Sequence, residues 1–213
     1  MIPKHIFQSW HTKDFHPRVQ KYIDEIKSKN PEYTHTIFTD SEMDSFVNEH
    51  FRGVIADCYN RLNIIVAKVD FWRYLILYKY GGVYLDMDSY INKPLRELIR
   101  DEDECVITAE NNPGLFVQWA LIFNKGHPIL KIVIDLIVSN IQNNSYPNDI
   151  HKMTGPSVFS KAVNLALTVD SYSYRIYGID YNGHFSFKHP DSYLLYKFKP
   201  HWRYEQQIKP LLL

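Results

Sequence analysis

Short apolar runs alternate with amphipathic stretches along this chain, and the alternation predicts an α/β protein. Lys4 to Ser9 reads as a first strand, and Pro17 followed by RVQKYIDEIKSKN as an amphipathic helix closed by Asn30 and Pro31. The β-branched and aromatic segment EYTHTIFTD predicts a second strand, with Asp40 as the N-cap of a helix through SEMDSFVNEHF. A largely apolar helix from Ile64 to Tyr80 is expected to stop at Gly81 and Gly82, which suit a left-handed cap and a turn into a strand at Val83–Leu85. Further on, CVITAE and WALIFN read as strands, Pro128 opens a helix through HPILKIVIDLIVSNIQN, and TGPSVFSKAVNLAL supplies another proline-initiated helix. Through YSYRIYGIDYNGHFSFKH the pattern becomes aromatic and irregular. The whole predicts a mostly parallel central sheet flanked by helices, with ligands at the carboxyl ends of its strands.

Composition narrows the class. The 213 residues are 45% hydrophobic and 15% aromatic, enough to bury a sizeable core, and are read as a single domain over 1–213. The ending KPLLL makes it compatible with one module of a longer protein. Twenty-four basic residues cancel twenty-four acidic ones, so no uniform field favours nucleic acid. The opening MIPKHIFQSWHTKDF lacks a signal-peptide apolar core, and the most apolar later run, Ile129 to Val138, is short and carries Lys131 and Asp135. No transmembrane segment is expected, and the chain as it stands reads as cytoplasmic or otherwise soluble. Cys58 and Cys105 make neither a disulfide framework nor a zinc cluster and read as buried free thiols.

Two acids then change the picture. Asp86 and Asp88 stand where the buried strand Val83–Leu85 ends, and carboxylates there are costly unless something cationic meets them. With a bend at Ser89 and the nearby NKP bringing both to one centre, two hard oxygen donors suit Mn²⁺ or Mg²⁺ completed by water and phosphate oxygens. A solvated turn is the plain alternative. Asp70 and Arg73, three apart, share a face of the preceding apolar helix. They read either as a self-contained ion pair or as groups facing the same pocket, Arg73 towards phosphate or sugar oxygens and Asp70 towards hydroxyls.

The run KVDFWRYLILYKYGGVYLDMD resembles the core of the sugar-binding DXD family of glycosyltransferases, which includes initiating mannosyltransferases of the Och1 type and, more distantly, the glucosylating toxins of clostridia. IPKHIFQSW resembles that family's first strand, PEYTHTIFTD its second, and NKGHP and TGP its later landmarks. The resemblance implies a GT-A-like, Rossmann-related fold with the DXD motif at a strand end. It also implies a metal-dependent transfer, with retention, from a nucleoside diphosphate sugar to a hydroxyl on a glycan or glycoprotein. UDP-sugars come first as donors and GDP-mannose second. Asp86, Asp88 and Arg73 would be catalytic; Trp10, Asp70, Arg73 and Asp86 would bind donor, Trp10 by stacking on the base. His201, in KPHWRYE, would join Asp88 and Asp86 at the metal. Gln118 in VQWALIF departs from an asparagine common in relatives. A short form without a membrane anchor favours a bacterial or large-DNA-virus origin over a Golgi-anchored one.

Two other classes compete. A haloacid-dehalogenase-like phosphatase also uses Asp-x-Asp after a strand, but Tyr90 stands where its small hydroxyl residue belongs, and its distant acidic motif is missing. A non-catalytic carbohydrate- or sugar-nucleotide-binding module would put the sixteen tyrosines and four tryptophans to use in a groove, without transfer.

Overall fold

The computed structural model describes residues 1–169, 171–196 and 202–213. The chain opens with β1 (His5–Ser9), α1 (Pro17–Lys29), β2 (Thr34–Phe38) and α2 (Asp40–His50). Next, α3 (Val54–Arg61) and the long α4 (Ile65–Tyr80) lead into β3 (Gly82–Leu85) and the short β4 (Tyr90–Ile91). β5 (Cys105–Ala109) and β6 (Ala120–Phe123) precede α5 (Pro128–Gln142), α6 (Ile150–Met153) and α7 (Pro156–Ala166). β7 (Arg175–Ile179), β8 (Phe185–Ser186) and α8 (Trp202–Ile208) follow.

The central sheet has the order β2-β1-β3-β6-β5-β7. β1 pairs parallel with β2 and β3, β5 pairs parallel with β7, and β6 runs against both β3 and β5. The sheet is therefore mostly parallel, as expected, with β6 reversed in its middle. Its inner strands are buried on both faces, which explains why they read as continuous apolar runs. Phe7, Tyr84, Ile107, Leu121 and Phe123 point into a large core with α2, α3, α4, α5 and α7. Ile6, Val83, Leu85, Val106 and Ile122 point the other way, towards Ile26 of α1 and the aromatic pair Tyr181 and Phe185.

Most expected elements form within a residue or two of their predicted bounds, and both cysteines are buried free thiols. The cap of α2 differs. Thr39, not Asp40, is the N-cap: its hydroxyl accepts from Glu42 N, and the Glu42 carboxylate accepts from Thr39 N at 2.7 Å. This reciprocal capping box satisfies two free backbone donors, leaving Asp40 as the first helical residue. Part of the irregular aromatic stretch is strand: β7 extends the sheet edge and β8 pairs with β4. β7 leaves Ile176 and Ile179 exposed, and its register shifts along β5, so it lacks a clean inward–outward alternation.

A close backbone approach delivers the strand that matters most. Gly81 caps α4 at φ +69°, and Gly82 starts β3 at φ +111°. A Cβ at Gly82 would lie 2.6 Å from the carbonyl oxygen of His5 on β1. Gly53 also has positive φ, but nothing lies within 4 Å of the corresponding position. Gly82→Ala should therefore cost about 2–5 kcal/mol, combining backbone strain with a clash that must separate two strands, whereas Gly53→Ala should cost only about 1–2 kcal/mol. Urea unfolding of the two variants checks this; equal midpoints would show that the β1–β3 approach tolerates a side chain.

Candidate functional site

α4 is buried without a break from Asp70 to Leu77, so its two charges are carried into the interior. Arg73 Nη2 lies 3.0 Å from Asp70 Oδ1, confirming that the two share a face. The pair is not self-contained. The same Nη2 is 3.2 Å from Asp86 Oδ1, Nη1 donates to the Gln118 carbonyl at 3.1 Å, and the guanidinium lies 4.6 Å from the Tyr84 ring centroid. Burial opposes this charge, but Asp86, Tyr84 and Asp70 more than offset it, and the pKa of Arg73 stands above the ordinary guanidinium value.

Asp70 also accepts from Gln118 Nε2 at 3.0 Å and from Thr154 Oγ1 at 3.2 Å. Burial pushes its carboxyl up, against the pull of Arg73 and Gln118. Gln118, whose amide also reaches Tyr74 Oη at 2.8 Å, thus acts as a buried clamp on Asp70. The departure at this position from the family pattern has a structural role here.

β3 supplies the acids. Strand alternation places Tyr84 and Asp86 on the face that meets α4, and Tyr84 Oη donates to Asp86 Oδ1 at 2.6 Å. The backbone of Asp86 is held too: its N–H donates to Trp119 O at 2.8 Å, and its carbonyl accepts from Gln8 Nε2 at 3.2 Å. A turn follows, closed by Ser89 N–H donating to Asp86 O at 3.0 Å. Positions two apart share one face of a straight strand, so the bend is not needed to bring the acids to one side. It gives them different neighbours instead.

Asp88 is only 6% exposed and faces the segment 187–196. Its Oδ2 accepts from Tyr196 Oη at 2.8 Å and lies 3.7 Å from Lys188 Nζ, while its carbonyl accepts from His189 N–H at 2.8 Å. Burial and then the negative charge of Asp86 push its carboxyl up to about 6, despite the opposing pull of Tyr196 and Lys188. Trp10 sits at the carboxyl end of β1, its ring edge-on to Tyr196 with centroids 5.8 Å apart. Half-buried, it packs against the cluster of Val19, Ile23, Met87 and Leu195. His201 lies outside the described residues.

The structure therefore gathers Asp70, Arg73, Asp86 and Asp88 at one strand end, with Trp10 one aromatic ring away from Asp88. Tyr84, Gln118, Thr154, Lys188 and Tyr196 complete the surroundings. For Thr154 the TGP motif was a signal; for Lys188 and Tyr196, about a hundred residues from the acids, nothing local was. The chemistry of the donor set fits a hard divalent cation: two neighbouring carboxylates, one reluctant to ionise beside the other, and an ammonium group already against Asp88. Asp86 and Asp88 are the described carboxylates that would hold such a cation, and Mn²⁺ or Mg²⁺ commonly completes its shell with water and phosphate oxygens.

Residues 16–105 match the family described as a glycosyltransferase sugar-binding region containing a DXD motif. The initiation-specific alpha-1,6-mannosyltransferase of Candida albicans is 29% identical over 202 residues, covering 76% of this chain and 52% of the relative. Inositol phosphoceramide mannosyltransferase 3 of Schizosaccharomyces pombe is 29% identical over 163 residues, covering 75% of this chain and 44% of the relative. The chain thus spans about half the length of these curated relatives. Among solved structures, the PaToxG glycosyltransferase superposes with a TM-score of 0.63 at 23% identity, covering 78% of this chain and 70% of that one. The fold is GT-A-like, and the resemblance drawn from the DXD core is borne out. No helix among the described residues is long and apolar enough to cross a membrane.

A carboxyl whose pKa is raised by folding costs stability when ionised, a cost absent below the ordinary carboxylate range and complete above about 6 for Asp88. Without added divalent cation, Asp88→Asn should therefore be more stable than the parent by about 1–2 kcal/mol near pH 7.5, with the advantage shrinking as pH falls to about 4. Urea midpoints across that range check it; a pH-independent difference would mean that Asp88 does not carry the cost.

Proposed function

We propose that this chain, whose residues 16–105 match the sugar-binding region of the DXD glycosyltransferases, transfers a sugar from a nucleoside diphosphate donor to a hydroxyl acceptor. The observation that supports it best is the gathering of Asp70, Arg73, Asp86 and Asp88 at the carboxyl end of β3, where open α/β sheets bind ligands. Asp88 and Asp86 would hold Mn²⁺ or Mg²⁺, which when bound neutralises charge growing on a leaving diphosphate.

The chain's own residues divide the remaining work. Arg73, 3% exposed and already paired, acts through Asp86 by fixing the direction of that carboxylate, so its part is positioning. Tyr84 does the same from below by donating to Asp86 Oδ1. Asp70, held by Gln118 and Thr154, keeps Arg73 in place and is the carboxylate that would accept from hydroxyls of the donor. Trp10 offers a ring face to the base. The relatives' names favour mannose as the sugar, which brings GDP-mannose level with UDP-sugars as a donor to test. One of those names also puts an inositol phosphoceramide forward as an acceptor to test; we favour a glycan hydroxyl, with retention. Residues 1–213 would form one catalytic domain.

A panel of UDP- and GDP-sugars, scored for Mn²⁺-dependent thermal stabilisation and for hydrolysis, tests the reading. Folded Asp88→Asn should lose most Mn²⁺-enhanced donor binding and nearly all turnover. Arg73→Lys should impair turnover, because an ammonium cannot span Asp70, Asp86 and the Gln118 carbonyl together. Trp10→Ala should weaken nucleotide binding by about 1–3 kcal/mol. Full turnover in folded Asp88→Asn would overturn the proposal, and donor binding without hydrolysis or transfer would favour a non-catalytic module.

A further inference from the structure

The segment 187–196 is fastened to the acidic turn by its backbone and leaves one cation on a loose tether. Ser89 Oγ donates to Phe187 O at 2.7 Å, and His189 N–H donates to Asp88 O at 2.8 Å, so the chain is pinned on both sides of residue 188. The Lys188 side chain itself is 51% exposed. Its ammonium stands 3.7 Å from Asp88 Oδ2 and 5.5 Å from each of the Phe187 and Tyr196 ring centroids. Among the described residues the cation paired with Asp86 is the buried Arg73.

We propose that Lys188 exchanges places with the divalent cation: it neutralises Asp88 in the empty protein and moves to the donor's diphosphate when the cation binds. This rests on the reading of Asp86 and Asp88 as a cation-diphosphate site. Three features support it. The lysine is half-exposed and regains water when it leaves, while the arriving cation replaces it beside the buried Asp88 carboxylate, so neither charge is stranded. A divalent cation at Asp88 repels an ammonium so close, and the freed lysine needs a new acceptor. Two carboxylates and a diphosphate together outweigh one divalent cation in charge, so the loaded site retains negative charge within reach of a pinned, flexible lysine. Tyr196 Oη, which donates to the same Oδ2, would be released in the same exchange.

The exchange predicts effects of opposite sign, which a merely structural salt bridge does not. MnCl₂ alone is titrated by calorimetry into the parent, Lys188→Met, Lys188→Arg and Tyr196→Phe, and UDP or GDP is then titrated at saturating Mn²⁺. Lys188→Met should bind Mn²⁺ alone about two- to fivefold more tightly, because a competitor for Asp88 is gone. It should bind the nucleoside diphosphate about ten- to a hundredfold more weakly, because a charge-assisted contact is lost. Lys188→Arg should keep nucleotide affinity near the parent's. Tyr196→Phe should tighten Mn²⁺ alone and leave nucleotide affinity within about twofold. If the parent binds both probes but Lys188→Met shifts both affinities in one direction, or neither, the exchange is wrong and the proposed function stands. If the parent binds neither Mn²⁺ nor either nucleotide, both fall together.

Discussion

A buried guanidinium organises the working end of this protein. Taking an ion out of water costs several kcal/mol even after relaxation, so Arg73 is tolerable at 3% exposure only if its counter-groups are in place. They come from three separate elements. Asp70 is one turn away on α4, Asp86 extends from β3, and the Gln118 carbonyl belongs to the segment entering β6. Any slip of the helix against the sheet would strand a charge. The geometry of the acidic turn therefore follows from the energetics of the core beneath it.

The sheet topology serves that arrangement. The reversed β6 lies against β3, and its ladder continues one step beyond the strand, with Asp86 N–H on Trp119 O. On the other side, the glycine start of β3 brings it close to β1, from which Gln8 reaches the Asp86 carbonyl. Asp86 is thus held through its backbone by both neighbouring strands and through its side chain by Arg73 and Tyr84. Such redundancy fixes the direction of the carboxylate through backbone and side chain alike.

Its companion is held quite differently. The side-chain partners of Asp88 come from residues 188 and 196, and one of them is half-exposed. The turn at Asp86–Ser89 creates this asymmetry by directing one acid towards the core and the other towards an outer segment. One carboxylate is fixed through both its backbone and its side chain, and the other meets side chains of an outer segment, of which Lys188 is half-exposed.

The sequence alone determined the α/β class, most elements, the glycine hinge and the identity of the four charged residues, because each is encoded locally. Period-2 and helical patterns, proline and glycine punctuation, and the run from Asp70 to Asp88 all lie within short windows. Where the signal was a choice between neighbours, as between Thr39 and Asp40, local reading erred by one residue, since only the reciprocal bond with Glu42 decides it. The edge strand β7 stayed hidden because its exposed isoleucines and shifted register blur the alternation. What only the tertiary structure decided is which groups those charges meet. Tyr196 lies 108 residues from Asp88 in sequence, and Gln118 lies 48 from Asp70, yet each stands within hydrogen-bond distance. No pattern along the chain specifies such pairs, because they exist only once the burial of apolar faces has brought α4, β3 and the later segments together and left the polar groups to find one another.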